Sequence, residues 1–224
     1  MCVGVEADAD ARLFAALAVE RGFTQPTVLL GGEATRAAMR AKLSEMAALS
    51  EPGDLFLLTF SGHGGRTRLR VHGDESREVG TWQLYDGSLN EEQLREDLTL
   101  FRQGVRVLVV SDNCGGGMPK RASPQLPGGL EEPPALSRPA IEGFLRASVL
   151  VLAACEEGKY ADGAGLPGHF AKALLRTLNG SGFDCPYDAF HRALCNGMPS
   201  YQQPDYYRVG SLNTTFEAQR PFAI

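Results

Sequence analysis

The sequence has a single tryptophan and four histidines among 224 residues, and none of its five cysteines stands in a C-x-x-C pair. That odd, dispersed set of thiols (Cys2, Cys114, Cys155, Cys185 and Cys195) argues against a disulfide framework and a structural zinc site, and fits a reducing compartment. No apolar run approaches the roughly 18 residues that span a bilayer. The stretch Met1–Asp10 is acidic and lacks the basic start of a secretory leader. No membrane association is expected, and the cytoplasm is the expected location. Positive charge is also in short supply. Lys+Arg 22 against Asp+Glu 27 leaves a net charge of -5, so no nucleic-acid-binding face is expected. Neither G-x-G-x-x-G after the first strand nor G-x-x-x-x-G-K-[ST] anywhere occurs, which removes motif support for a nucleotide site. No internal repeat or heptad pattern is present.

Hydrophobic residues make up 43% of the chain and charged residues 22%, an ordinary globular balance, and the length suits one domain spanning 1–224. Three apolar, β-branched runs read as strands buried on both faces: Leu55–Phe60, Val105–Val110 and Val149–Ala154. Cys2–Val5 and Thr27–Leu30 are weaker strand candidates. Helical patterns cover Ala11–Arg21, Thr35–Leu49, Glu91–Phe101, His169–Leu178 and Tyr187–Leu194, with Asn90 as an N-cap. This alternation predicts an α/β fold whose mostly parallel sheet is flanked by helices on both faces. Two stretches resist assignment. Arg66–Trp82 is polar, and about 115–140 is a Pro- and Gly-rich loop expected to be flexible.

Chemistry gathers behind the strong strands. The third predicted strand runs into Ser61-Gly62-His63-Gly64-Gly65, and the fourth into Ser111-Asp112-Asn113-Cys114-Gly115. Open parallel sheets bind ligands at the carboxyl ends of their strands. If these two strands are neighbours, His63 and Cys114 meet there as base and nucleophile. The peptide N–H groups of Gly64 and Cys114 could then face a developing oxyanion. No acidic residue reads as a third, orienting member, so a dyad is expected. Asp112 leaves its strand on the same side as Cys114. Of the remaining residues of this kind, His169 and His191 read as structural or surface groups and Cys155 as a pocket-wall or core thiol.

His63 and Cys114 lie about 50 residues apart, as the His and Cys of caspases do. Asp112-Asn113-Cys114 resembles the Asp-x-Cys of metacaspases and their bacterial relatives, and Ser61-Gly62-His63-Gly64 resembles their Ser-Gly-His-Gly. Asp10-Ala11 before Arg21-Gly22-Phe23, Leu84-Tyr85-Asp86-Gly87 before Leu94, Ala154-Cys155, Tyr160-Ala161 and Gly168-His169-Phe170 extend the resemblance over nearly the whole chain. Two departures stand out: Gly115-Gly116-Gly117 follows the Cys in place of His-Ser-Gly, and the first strand-to-helix connection, Glu6–Ala9, is very short.

The resemblance implies a caspase-like sheet of about six strands and a cysteine endopeptidase acting on protein or peptide substrates. It implies cleavage after Arg or Lys, with Asp112, Asp10 and Ser61 in the substrate pocket and Asp8 as an alternative to Asp10. Two carboxylates suit a guanidinium because they accept its hydrogen bonds in a fork. The same resemblance raises self-cleavage at Lys120-Arg121, a regulatory partner or domain, and calcium. Asp74, Glu75, Glu78 and Asp86 form the one loose acidic cluster for calcium, without EF-hand spacing. No cofactor is otherwise expected. A non-catalytic caspase-like binding or scaffold module is the alternative function.

Overall fold

All five predicted strands form, and among the described residues four more join them. In the computed structural model, residues 1–70, 76–113, 145–155, 168–180 and 184–224 are described. Their order is β1 (Cys2–Gly4), α1 (Asp8–Glu20), β2 (Val28–Leu30), a 3₁₀ turn (Gly31–Glu33), α2 (Arg36–Leu49), β3 (Leu55–Ser61), β4 (Gly64–Arg70), β5 (Ser76–Leu84), β6 (Gly87–Asn90), α3 (Glu91–Leu98), β7 (Arg106–Asp112), β8 (Ser148–Ala153), α4 (His169–Asn179), α5 (Tyr187–Asn196), β9 (Asp205–Gly210) and α6 (Thr214–Ala218).

The main sheet has six strands in the order β2-β1-β3-β7-β8-β9. Its first five strands are parallel, and β9 runs antiparallel to β8. Side chains alternate along each strand, so every central strand feeds two cores. Phe56, Leu58 and Phe60 of β3 with Val107 and Val109 of β7 meet Met39 and Leu43 of α2 and Leu94 and Leu98 of α3. Leu55 and Leu57 with Leu108 and Val110 meet α1, α4, α5 and α6 through Phe14, Phe170, Phe190 and Phe216. Every residue of β3 is buried, which is why it reads as an unbroken apolar run. Among the described residues no helix is long and apolar enough to cross a membrane.

Capping explains several boundaries. Thr35 Oγ1 accepts the Ala38 N–H at 3.2 Å, so Thr35 is the cap of α2 rather than its first residue. Asn90 and Gln93 form a reciprocal capping box that starts α3. α1 begins at Asp8, three residues earlier than the apolar pattern suggested. The described parts of the unassigned Arg66–Trp82 stretch pair with each other as β4 and β5, and β4, β5 and β6 form a second, antiparallel sheet. The segment with Tyr206 and Tyr207, which was given no strand, supplies the sixth strand of the main sheet.

Candidate active site

The turn between β3 and β4 carries His63, and its path is set by three hydrogen bonds and one close approach. Val5 N–H donates to Ser61 O at 3.0 Å, and Gly62 N–H donates to Asp112 O at 3.2 Å. Gly62 sits at φ +157, and a Cβ there would lie 2.7 Å from the Val5 carbonyl oxygen, so only glycine fits. Gln83 N–H donates to His63 O at 2.9 Å, which fixes the start of the hairpin. Because residues 63 and 83 form the hydrogen-bonded pair, the next pair, Gly64 and Trp82, does not. The Gly64 N–H therefore points away from β5, toward the open edge of the hairpin sheet.

The register of β3 against β7 pairs Ser61 with Asp112, so both strands end at the same level of the sheet. Cys114 follows two residues later and lies outside the described residues, as do Lys120, Arg121, Asp74 and Glu75. Strand alternation puts Ser61 and Asp112 on the face covered by α1 and α4. Asp10, in the first turn of α1, meets them there. It is 5% exposed, whereas Asp8 faces solvent, so Asp10 is the acidic residue on this face. Gly168 N–H approaches both carboxylate oxygens of Asp10, at 3.3 and 3.4 Å, and Ala171 N–H donates to Asp112.

Both acceptors sit at the N-terminus of α4, where the helix dipole favours negative charge. A Cβ on Gly168 would lie 3.7 Å from Asp112 Oδ2 and 3.8 Å from Asp10 Oδ2, so the two carboxylates converge on one residue. Asp112 Oδ2 and Ser61 Oγ are buried without a hydrogen-bond partner among the described residues. Burial first, and then the charge of Asp10, push the Asp112 carboxyl up to about 7, while the Ala171 N–H holds it down. Burial also raises Asp10, against the Gly168 N–H and the Lys172 charge.

Two features escaped the sequence. One is Glu6, in the short β1–α1 connection, whose Oε2 lies 3.1 Å from His63 Nε2. The other is a chain of hydrogen bonds under the strand end. Trp82 Nε1–H donates to Ser111 Oγ at 2.9 Å, and Ser111 Oγ–H donates to Asn113 Oδ1 at 3.2 Å. Trp82 also stacks on Phe60, with ring centroids 4.6 Å apart. Cys155 Sγ–H approaches the Asn113 carbonyl at 3.7 Å, so Cys155 is a wall thiol beneath the chain that leads to Cys114. His169 opens α4, and His191 bonds the Pro204 carbonyl through Nε2 at 3.0 Å, as structural residues do.

The described half of the acidic cluster, Glu78 and Asp86, is engaged by other groups. Glu78 is flanked by Arg66 and Arg68, each at 3.7 Å, and Asp86 Oδ1 accepts the Arg36 N–H at 2.9 Å. Among the described residues, no group of three or more His, Cys, Asp or Glu side chains could hold a metal.

A six-stranded, mostly parallel sheet with a His-bearing turn beside the strand that leads into Cys114 defines a caspase-like protein. The sequence matches the caspase domain over residues 5–216, and the chain belongs to that family. Protein GSU0716 from Geobacter sulfurreducens is similar over 96% of this chain and 88% of its own, at 30% identity and a TM-score of 0.77. Caspase-1 from Spodoptera frugiperda shares the fold over 90% of this chain and 77% of its own, at 13% identity and a TM-score of 0.53. No curated protein matches the chain by sequence.

Proposed function

We propose that the protein is a cysteine endopeptidase that cleaves protein or peptide substrates after arginine or lysine, with Cys114 as nucleophile and His63 as base. The observation that carries this reading is the β3–β7 register, which ends the His63 and Cys114 strands level with each other, on the carboxyl edge of the sheet. His63 takes the Cys114 thiol proton as sulfur attacks the scissile carbonyl. As the tetrahedral intermediate collapses, the C–N bond breaks and His63 passes that proton to the leaving amine. Water then adds to the thioester, with His63 again as base, and releases the carboxylic acid and the thiol. The N–H groups of Gly64 and Cys114 are the donors for the oxyanion, each worth about 2.7–4 kcal/mol. A reducing cytoplasm would keep such a thiol active.

Specificity follows from the buried carboxylates. Among the described residues Asp112 Oδ2 and Ser61 Oγ lack partners, and Asp10 converges on the same glycine as Asp112. An arginine or lysine side chain supplies the missing donors and the missing positive charge. The test is a panel of fluorogenic peptides that differ only at the residue before the cut, run with and without calcium, on wild type and Cys114→Ala. Cleavage confined to Arg and Lys peptides and absent from Cys114→Ala is expected. A folded wild type that cleaves nothing refutes the peptidase and favours a caspase-like binding module.

A further inference from the structure

We propose that Glu6 is a positioning residue for this chemistry: its carboxylate holds His63 through Nε2 and leaves Nδ1 as the nitrogen that receives the thiol proton. The inference rests on the peptidase reading above and adds a third member to its Cys/His pair.

The contact itself comes first. Glu6 Oε2 lies 3.1 Å from His63 Nε2. A carboxylate only accepts, so Nε2 carries the proton and, in the neutral ring, Nδ1 carries the lone pair. Without that partner the ring could exchange tautomers and turn about χ2, and each change would take the lone pair off its one fixed position.

The backbone around both residues is clamped. Val5 N–H is bonded to Ser61 O at 3.0 Å on one side of Glu6. On the other, the Ala7 carbonyl accepts the N–H groups of Asp10 and Ala11 at 3.1 and 3.2 Å as α1 begins. Gly62 packs against the Val5 carbonyl, so the Glu6 turn and the His63 turn touch directly. The unusually short connection between β1 and α1 is what brings the carboxylate this close. A longer loop would carry residue 6 away from the sheet edge.

Glu6 also occupies the left-handed region, at φ 59, which among the described non-glycine residues only Phe222 shares. Such strain persists where surrounding structure over-determines it, and it concentrates at functional sites. Fold stability gives no reason to place a glutamate there. The His63 and Glu6 side chains are 71% and 75% exposed, and an exposed pair of this kind adds little to stability. Glycine would fit the same φ without strain. The contribution of Glu6 is therefore the orientation of the ring.

The test compares Glu6→Ala, Glu6→Gln and Glu6→Gly with wild type on the best Arg peptide. Glu6→Ala should lower kcat by ten- to about a hundredfold with KM unchanged, the scale of a misplaced reacting group. Glu6→Gln keeps an accepting oxygen and should recover most of that loss. Glu6→Gly should match or exceed the wild-type Tm while its kcat stays as low as that of Glu6→Ala. Unchanged kcat in Glu6→Ala overturns the role, and so does a loss that follows a lowered Tm in all three variants.

A second measurement does not depend on turnover. In a Cys114→Ala background, the ring ¹⁵N signals of His63 should move when Glu6 becomes alanine. Signals that stay put overturn the contact. Signals that move in a protein whose wild type cleaves no peptide refute the peptidase, and with it the positioning role, while leaving the hydrogen bond standing.

Discussion

Replacing Asp112 with asparagine should make the protein more stable and less active, with a pH signature that separates the two effects. In the folded state burial, with the Asp10 charge second, raises the Asp112 carboxyl from 3.8 to about 7. An unfolded chain releases that proton near the ordinary value and the folded chain releases it three units higher. The favourable contribution is thus complete below pH 4 and is lost as pH rises from about 4 to about 7. At 1.36 kcal/mol per unit the lost stability approaches about 4 kcal/mol above neutrality. Asparagine preserves the shape and the oxygen that accepts the Ala171 N–H, but carries no charge to desolvate.

Urea unfolding followed by circular dichroism from pH 4 to pH 8 reads the difference. The variant should match wild type at pH 4 and exceed it by about 2–4 kcal/mol at pH 8. The same substitution should cost Arg and Lys peptides about 3–5 kcal/mol of transition-state stabilisation, because a desolvated cation loses its partner. Neutral peptides, if cleaved at all, should be spared. Parallel stability curves for the two proteins would refute the buried, uncompensated carboxylate. Arg cleavage at the wild-type rate would refute its place in the pocket.

Cys114→Ala should abolish cleavage and leave the unfolding curve unchanged, whereas Cys155→Ala should stay active; the reverse pattern, read with the same peptide, would move the nucleophile to Cys155. His63→Ala should remove activity by eliminating the base, and full turnover in that variant would require another. Gly62→Ala should lose about 1–3 kcal/mol in a thermal melt, because its Cβ would meet the Val5 carbonyl oxygen at 2.7 Å; an unchanged Tm would contradict the close approach. Wild type incubated alone should nick after Lys120 or Arg121 while Cys114→Ala stays whole, as intact-mass spectra will show; an active enzyme that remains one chain excludes self-processing.

What could be read from the sequence follows the physics of burial. β3, β7 and β8 lie between two helical layers, so both faces are apolar and the runs stand out. The hairpin does not have that signature. β4 reads Gly-Gly-Arg-Thr-Arg-Leu-Arg, and part of its cross-strand pairing comes from charge, with Arg68 opposite Glu78. Its alternating arginines carried a period of two that an apolar search passes over. β9 was hidden for a related reason: at the sheet edge only Asp205 is fully buried, and the rest of the strand is half-buried or exposed, so no apolar run marks it.

The site divides along the same line. Asp10, Ser61 and Asp112 could be found because each stands in a short motif, and the structure brings all three to one face. Asp10 in particular is separated from Asp8 only by helix phase, since an α1 that starts at Asp8 turns Asp10 inward and leaves Asp8 in water. Glu6 belongs to no motif. Its position depends on the length of one connection and on a left-handed backbone that no propensity favours for glutamate.

These two kinds of residue carry opposite costs. Asp10 and Asp112 are desolvated, and the N-terminus of α4 offsets only part of the penalty through the Gly168 and Ala171 N–H groups. Glu6 is hydrated, and its cost is a strained backbone. Each cost falls where the proposed chemistry needs a charge or a fixed ring. A scaffold selected for stability alone would put apolar residues in the pocket and glycine in the turn. The chain therefore gives up stability at the two points where a cationic substrate and a proton-accepting imidazole would be held.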